Sequence, residues 1–502
     1  MEQQSAWKAS GRAYGLLTLS FAASILLRAP YYQHSLIFVD EGFFASVAAE
    51  LLRGSVLYRD VWCNNQPLTI YFCKWVFQLL GPTSIALHLG SLLLALLESW
   101  LLYRIGRRFF SARVGGLAAL AFAIASTNFN IPRIIGFTPE QLMAVSATGA
   151  VYCFLAAWER RRAGLFFFAG LLSCGAVLAK PAAGPEIAMF FLFLFFAPGW
   201  SPARKAGALA SLGSGYLMGG GILAASLVAG GNLYPWWDQS VLSRVHYVAQ
   251  IDWAAFLHNL ARQPFGSGLT YLWAWILIWQ GRKGAEANRD AYSLSVAWLA
   301  AAFLGVCMGR RFYANYYIQV FPPMALLAAV GLDYLTRAMR RPRFQASLVL
   351  SLVALLVPFS WFQARTFAHY YYLADPGAHS QVRLWDMCVI DRRLKDVSAE
   401  IRALTQPGEP IFVFGPNPEF YFLSGRPMAT AFSTFDITDP AEPPYGDDER
   451  QTIQKLDSTP PVLIIDSCQY LKIADQPGWR ELIARHYRLC NDLSGVRLFL
   501  RN

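Results

Sequence analysis

The stretch Phe38-Val39-Asp40-Glu41-Gly42-Phe43-Phe44-Ala45 places two adjacent acids directly after the first long apolar segment of the chain. Ionisable groups at the edge of a membrane are costly to desolvate, and neighbouring carboxylates also repel each other, so the pair marks a candidate site. Such pairs also occur in solvated loops that have no function. The surrounding sequence must therefore distinguish a functional site from an ordinary loop. Residues 45–52, which follow, have the pattern of an amphipathic helix that lies along a membrane surface.

Apolar runs dominate the chain on both sides of this stretch. Of the 502 residues, 55% are hydrophobic and 15% are charged, whereas a soluble domain carries about 25% charged residues. Runs of about 20 apolar residues recur along the first three-quarters, which predicts an α-helical polytopic membrane protein. The predicted spans, about eleven, are 13–30, 82–103, 114–128, 140–158, 165–179, 184–198, 206–229, 267–281, 291–308, 315–335 and 344–362.

The basic residues predict the orientation of these spans. The formal net charge of +11 comes from short Lys and Arg clusters between the apolar runs. The positive-inside rule assigns such clusters to the cytoplasm, so they indicate topology rather than a nucleic-acid-binding surface. The N-terminus is then cytoplasmic, and the first run is a membrane span because no clear small-residue cleavage site follows it. The segments predicted outside the cytoplasm are residues 31–81, 230–266 and 363–502.

The C-terminal region, residues 363–502, is more polar and shows alternating strand and helix patterns. Strands are predicted at 410–415, 461–466 and 496–500, and a helix at 475–487. This alternation predicts a small extracytoplasmic α/β domain that follows a transmembrane domain of residues 1–362.

Several short motifs follow one another in an order that resembles a known family. They are Asp40-Glu41-Gly42, Tyr58, Asp60, Gln66-Pro67-Leu68 with Tyr71, Thr138-Pro139-Glu140, Leu178-Ala179-Lys180-Pro181, residues 309–317, and residues 415–426. Each motif is short, and the ordered series is the specific signal. The series resembles the GT-C glycosyltransferases, in particular the bacterial protein-mannosyltransferase-like family that includes lipid A aminoarabinose transferases.

The resemblance implies a GT-C membrane domain that transfers a sugar, with inversion, from a polyprenyl-phosphate-linked donor. The acceptor would be a lipid, glycan or protein on the extracytoplasmic side, and nucleic acid is not implied. Such a hexosyl- or pentosyltransferase lies in the cell membrane, which is the inner membrane of a Gram-negative cell. The chain departs from the family pattern at Gln66, where many relatives have Lys, and at Asn315, where many have His. The candidates for the substrate cavity are Asp60, Gln66, Tyr71, Asn315 and Tyr316.

Three acids are candidates for catalysis. An acceptor hydroxyl needs a base, and Asp40 would supply a carboxylate at the predicted outer face. Asp40 is also a candidate ligand for a divalent metal, the one cofactor that the sequence leaves open. Glu41 is its neighbour, but in a helix the two side chains would point about 100° apart. Glu140 is the second acid that the resemblance implies; after Thr138-Pro139 it equally fits an acid that stabilises a helix N-terminus.

Four cations are candidates for binding the donor phosphate, whose leaving group develops negative charge. Lys180, Arg310 and Arg311 lie at the predicted outer face, where basic residues are otherwise scarce. Arg133 is the fourth, as a partner either of Glu140 or of phosphate. The alternative for Lys180, Arg310 and Arg311 is a boundary role, in which a long side chain at a helix end reaches toward the headgroups.

A membrane transporter or lipid flippase is the competing interpretation. Transporters usually show internal repeats and helices broken near the bilayer midplane. The sequence shows neither clearly, and its candidate acids gather at one face instead. It also contains no Walker loop or dinucleotide-binding glycine motif, which argues against ATP-driven transport.

Overall fold

The computed structural model describes residues 2–29, 31–36, 39–127, 134–263, 271–284, 288–338, 342–359, 383–435, 447–468 and 472–502. The chain divides into two compact units. The first comprises Met1–Tyr31, Leu89–Ala225 and Ile251–Ala374, and the second comprises Tyr32–His88, Ser226–Gln250 and Asp375–Asn502. The second unit thus combines the C-terminal region with most of both long loops that the sequence places outside the cytoplasm. The predicted domain boundary at residue 362 lies outside the described residues and stays a prediction.

The first unit is a bundle of helices. Its helices are Glu2–Arg28, Ser84–Phe109, Ala112–Ala125, Pro139–Arg160, Phe166–Ala179, Gly184–Phe195, Pro202–Ala229, Trp253–Arg262, Leu272–Gly281, Arg289–Met308, Phe321–Arg337 and Pro342–Phe359. Among the described residues, five helical segments are long and apolar enough to cross a membrane: Ser84–Phe109, Pro139–Arg160, Pro202–Ala229, Arg289–Met308 and Ala314–Arg337. Each predicted span overlaps an observed helix, which confirms the helical membrane class. The number of helices that cross the membrane stays a prediction.

Two glycines bring helices Phe166–Ala179 and Pro202–Ala229 into close contact. A methyl group on Gly170 would overlap the backbone oxygen of Leu212, and one on Gly215 would overlap the backbone oxygen of Phe167. Small residues are typical of helix crossings in membranes, where van der Waals contact replaces the hydrophobic effect as the driving force. The backbones of this pair therefore approach as closely as they do because neither glycine has a side chain.

We expect Gly170→Ala and Gly215→Ala to lower the thermal stability of the protein, because either methyl group forces two helix backbones apart. Overpacking of this kind costs roughly 1–3 kcal/mol. Gly220→Ala on helix Pro202–Ala229 is the matched control, since its methyl would meet no atom within 4 Å. The measurement is the fraction of monodisperse protein that remains after heating in detergent. Equal melting of Gly170→Ala, Gly215→Ala and the control would contradict this account of the crossing.

The second unit contains helices as well as a sheet. The helices are Val39–Leu52, Pro67–Leu80, Leu233–Trp236, Ser243–Ala249, Arg383–Leu404, Glu419–Ser424, Asp447–Ser458 and Pro477–His486, with a π-helical turn at Trp237–Leu242. Helix Val39–Leu52, called the Asp40 helix below, is buried at every residue from Glu41 to Leu51. It packs against Pro67–Leu80 and Glu419–Ser424. The predicted amphipathic helix along the membrane surface is therefore wrong, because its polar face is buried as well.

The sheet of the second unit has four strands. They are β1 (Ile411–Phe414), β2 (Leu463–Asp466), β3 (Tyr487–Leu493) and β4 (Val496–Arg501), in the order β1-β2-β4-β3. Strands β1 and β2 are parallel, with Phe412 opposite Ile464, and the other two pairings are antiparallel. The predicted α/β character of the C-terminal region and its three predicted strands are confirmed.

Apolar layers cover both faces of this sheet. On one face, Phe412 and Phe414 pack against Trp479 of helix Pro477–His486, and on the other, Val413 and Ile465 share a core with helix Arg383–Leu404. Burial on both faces explains why β1 and β2 are continuous apolar runs. Strand β3 was missed because it is an edge strand with mostly exposed polar residues.

Candidate functional site

The Asp40-Glu41 pair forms the first turn of the Asp40 helix. Asp40 is exposed, whereas Glu41 is only 1% exposed. This difference follows from the helix, in which successive side chains point about 100° apart. An acid in the first turn is also favoured by the helix dipole. Asp40 is therefore the member of the pair that a substrate can reach.

Glu41 faces a histidine that the sequence analysis did not include among the candidates. The Nε2 atom of His88 lies 3.8 Å from a carboxylate oxygen of Glu41, and both side chains are buried. The His88 ring stacks on Tyr32 with the centroids 6.0 Å apart. A lone histidine inside an apolar run belongs to no motif, so no local pattern indicates this contact.

A third acid, Glu419, lies against the same turn of the Asp40 helix. A methyl group on Gly42 would overlap the Glu419 side chain and would lie 2.8 Å from its carboxyl carbon. Glu419 is 1% exposed. Burial, together with the nearby charges of Asp40 and Glu41, raises the pKa of Glu419 to about 8. Glu419 lies within the motif at residues 415–426, but the sequence alone indicates no role for it.

Asp391 fixes the segment that precedes the Asp40 helix. It accepts hydrogen bonds from the backbone N–H of Ser35 at 2.6 Å, from the Ser35 hydroxyl, and from Lys395 at 2.6 Å. The Nδ1 atom of His34 lies 3.5 Å from the Oδ2 atom of Asp391. Burial opposes ionisation of Asp391, but the bonds from His34, Lys395 and Ser35 outweigh it and lower its pKa below the ordinary value. Asp391 thus remains ionised and holds Ser35 in place.

Four predicted candidates come together in the first unit. Glu140, in the first turn of helix Pro139–Arg160, is completely buried and accepts hydrogen bonds from Lys180 and, at 2.9 Å, from the side-chain amide of Asn315. The Nζ atom of Lys180 also lies 4.3 Å from the centre of the Tyr316 ring. This geometry is a cation–π contact that supplements the ion pair.

Local sequence explains why these residues meet. Pro139 stands at the first position of its helix, where a missing N–H costs nothing, and so fixes the helix start one residue before Glu140. Lys180 directly follows the end of helix Phe166–Ala179. Asn315 and Tyr316 open the 3-10 turn Ala314–Val320. The site of the first unit is therefore built from residues at or near the ends of helical segments.

Glu140 and Lys180 retain capacity for a ligand. Among the described residues, the second carboxylate oxygen of Glu140 has no hydrogen-bond partner, although it is buried. An ammonium group has three donors, and the Lys180 side chain is 26% exposed. The helix-dipole role alone does not account for Glu140, and the boundary role does not account for Lys180, because each is turned toward the other.

The candidate arginines differ from one another. Arg310 donates to the backbone oxygen of Ile251 at 2.6 Å, and its guanidinium lies 4.5 Å from the centre of the Trp253 ring. These contacts give Arg310 a structural role in packing. Arg311 is half-buried beside it. Arg133 lies outside the described residues.

The remaining candidates of the first loop, Asp60, Gln66 and Tyr71, have structural contacts. Asp60 is exposed, pairs with Arg59 at 2.9 Å and accepts the backbone N–H of Val56 at 2.8 Å. Gln66 is buried and donates to the backbone oxygen of Ser240 at 3.3 Å. Tyr71 is half-buried with its ring centre 6.3 Å from that of Trp75. These contacts stabilise the loop, and a place in the substrate cavity stays a prediction for all three.

The described residues contain no group of three or more His, Cys, Asp or Glu side chains arranged to hold a metal ion. Asp40 therefore has no assembled set of co-ligands within the described part of the chain. Its role as a metal ligand stays a prediction.

Comparison with known proteins identifies the fold. Residues 64–218 match the family model of dolichyl-phosphate-mannose-protein mannosyltransferases. The structure is similar to that of ArnT from Cupriavidus metallidurans bound to undecaprenyl phosphate, with a TM-score of 0.64 and 14% identity over 98% of both chains. The chain has the GT-C fold. The apo form of the same ArnT gives a TM-score of 0.65 at 14% identity, covering 97% of this chain and 98% of that one.

A second GT-C structure is also similar to this chain, with a lower TM-score. The archaeal oligosaccharyltransferase AglB from Archaeoglobus fulgidus, in complex with an inhibitory peptide and a dolichol-phosphate, gives a TM-score of 0.55 at 13% identity. The match covers 98% of this chain and 74% of that one. Comparison with curated protein sequences finds no significant match. The predicted GT-C fold class is confirmed by the structures.

We expect Lys180→Met to destabilise the protein, because it leaves the buried Glu140 carboxylate without its cation. Breaking a buried pair by removing one partner costs about 3–5 kcal/mol, and replacing both partners costs much less. Lys180→Met combined with Glu140→Gln should therefore be more stable than Lys180→Met alone. The measurement is thermal unfolding of Lys180→Met, Glu140→Gln and the double variant in detergent, with exposed Lys455→Met as the control. If the stability loss of the double variant equals the sum of the two single losses, the Glu140–Lys180 pair contributes no interaction energy.

Proposed function

We propose that this protein is a glycosyltransferase that moves a sugar from a polyprenyl-phosphate-linked donor to a lipid, glycan or protein acceptor. The observation that carries the proposal is the similarity to ArnT over 98% of both chains, since that ArnT was solved with undecaprenyl phosphate. AglB, which has a similar fold, was solved with a dolichol-phosphate. The match of residues 64–218 to a family that uses dolichyl-phosphate-mannose supports the same class of donor.

Asp40 is the proposed general base. It is exposed at the start of a buried helix, so its carboxylate is accessible while its backbone is held in place. In the proposed reaction it accepts the proton of the acceptor hydroxyl as that oxygen attacks the anomeric carbon. The bond from the anomeric carbon to the phosphate oxygen breaks, and transfer proceeds with inversion. A positioned base of this kind contributes about 10²–10⁴-fold to the rate.

Lys180 is the proposed ligand of the donor phosphate. Glu140, Asn315 and Tyr316 fix its position, and its partial exposure leaves N–H donors for a phosphate oxygen. The ammonium charge stabilises the polyprenyl phosphate as it leaves. Arg310 and Arg311 are further candidates for this contact, and Arg310 also contacts Ile251 and Trp253.

Replacing the proposed base should abolish transfer. Asp40→Asn keeps the volume of the side chain but removes its charge, so we expect a loss of about 10²–10⁴-fold in kcat with normal insertion into the membrane. Glu41→Gln should reduce transfer less, because Glu41 is buried. Asp396→Asn, at an exposed position of helix Arg383–Leu404, is the control. The assay follows transfer from synthetic polyprenyl-phosphate sugars, and full activity of Asp40→Asn would remove Asp40 from the mechanism.

The proposed reaction requires a defined topology, with the N-terminus in the cytoplasm and residues 363–502 outside it. The distribution of Lys and Arg clusters supports this orientation. A phosphatase fused to the C-terminus should therefore be active, and a fluorescent protein that folds only in the cytoplasm should stay dark there. A fluorescent and phosphatase-negative C-terminus would overturn the topology and the extracytoplasmic reaction with it.

A further inference from the structure

One face of the Asp40 helix contacts a single segment of the C-terminal region, residues 417–428, which is called the docking segment below. Ser46 donates to the backbone oxygen of Pro418 at 2.7 Å, Glu50 accepts the backbone N–H of Met428 at 3.1 Å, and Arg53 donates to the backbone oxygen of Gly425 at 3.2 Å. Gly42, Ser46 and Glu50 are spaced by four positions and therefore lie on one face of the helix, and Arg53 directly follows its last residue, Leu52.

The contact at Gly42 is the one closest to the proposed base. Gly42 is two residues after Asp40, and the Glu419 side chain lies where a Cβ atom at this position would be. The helix backbone and the Glu419 carboxyl group therefore determine each other's position. Neither can shift toward the other, because the space between them is already filled.

Fold stability alone does not explain a long polar side chain at residue 419. A buried carboxyl group costs free energy unless it is well paired, and an apolar side chain of similar size would fill the space at lower cost. Among the described residues, one oxygen of Glu419 is buried without a hydrogen-bond partner. The acids Asp40 and Glu41 face it from the Asp40 helix. On the side of helix Arg383–Leu404, Arg402 donates to the backbone oxygen of Leu423 at 2.6 Å, farther along the docking segment.

We propose that Glu419 is a positioning residue for glycosyl transfer, which holds the first turn of the Asp40 helix in place through its contact with Gly42. The inference rests on the proposed function and deepens it, because it makes the C-terminal domain part of the catalytic apparatus. A misplacement of about 1 Å in a reacting group can cost about 10²-fold in rate. Glu419 acts through the helix backbone and does not itself touch the substrate.

The contact predicts a specific pattern of loss and rescue. Gly42→Ala should lower kcat by about 10- to 100-fold with little change in the donor KM, because its methyl displaces the turn that carries Asp40. Glu419→Ala should also lower kcat, since the turn loses its support. Combining the two should restore part of the activity, because the methyl added at position 42 then fills the space vacated by the Glu419 carboxyl group, with the backbone nitrogen of residue 419 at 3.0 Å. Glu419→Gln, which keeps the length and shape, should retain most of the activity.

The experiment compares kcat and donor KM of these variants in detergent, after size-exclusion chromatography has shown that each is folded. Glu481→Ala, at an exposed position of helix Pro477–His486, is the matched control. A double variant no better than Gly42→Ala, unchanged kcat in Glu419→Ala, or an effect confined to KM would overturn the inference. Absence of transfer by both the wild type and Glu481→Ala would instead contradict the proposed function, so the two failures are distinguishable.

Discussion

An ionised carboxylate that is buried among apolar helices needs a nearby cation, and Glu140 has one in Lys180. This requirement brings together the start of helix Pro139–Arg160 and the end of helix Phe166–Ala179, and Asn315 adds a second donor to the same oxygen. The pair also prevents Lys180 from extending along the surface, as a lysine at a helix end otherwise does. The first unit thus holds a partly exposed ammonium group in a fixed position.

Two acids of the second unit, Asp391 and Glu50, are likewise paired with cations and hydrogen-bond donors. Asp391 is held by Ser35 and Lys395, and Glu50 is held by Arg53 and the backbone N–H of Met428. Asp40 differs because its side chain is exposed at the end of a buried helix. Catalysis by a carboxylate needs this combination of an accessible charge and a fixed backbone.

The sequence predicts the features that depend on local patterns. Apolar runs identify the membrane helices, continuous apolar strings identify β1 and β2, and Pro139 identifies a helix start. Contacts between distant residues leave no such pattern: Ser35 and Asp391 are 356 positions apart, and the role of Glu419 depends on a missing side chain at Gly42. The burial of the Asp40 helix was mispredicted for the same reason, because its polar residues Ser46 and Glu50 have partners in the docking segment.

The central claim is that the chain transfers a sugar and releases polyprenyl phosphate. The most direct test reconstitutes the purified protein in liposomes with undecaprenyl-phosphate-linked sugars, labelled in the sugar, and a total membrane extract as the acceptor. We expect free undecaprenyl phosphate to appear in a one-to-one ratio with label on the acceptor. Movement of intact donor to the opposite leaflet, without release of undecaprenyl phosphate, would contradict the central claim and would identify the protein as a lipid transporter.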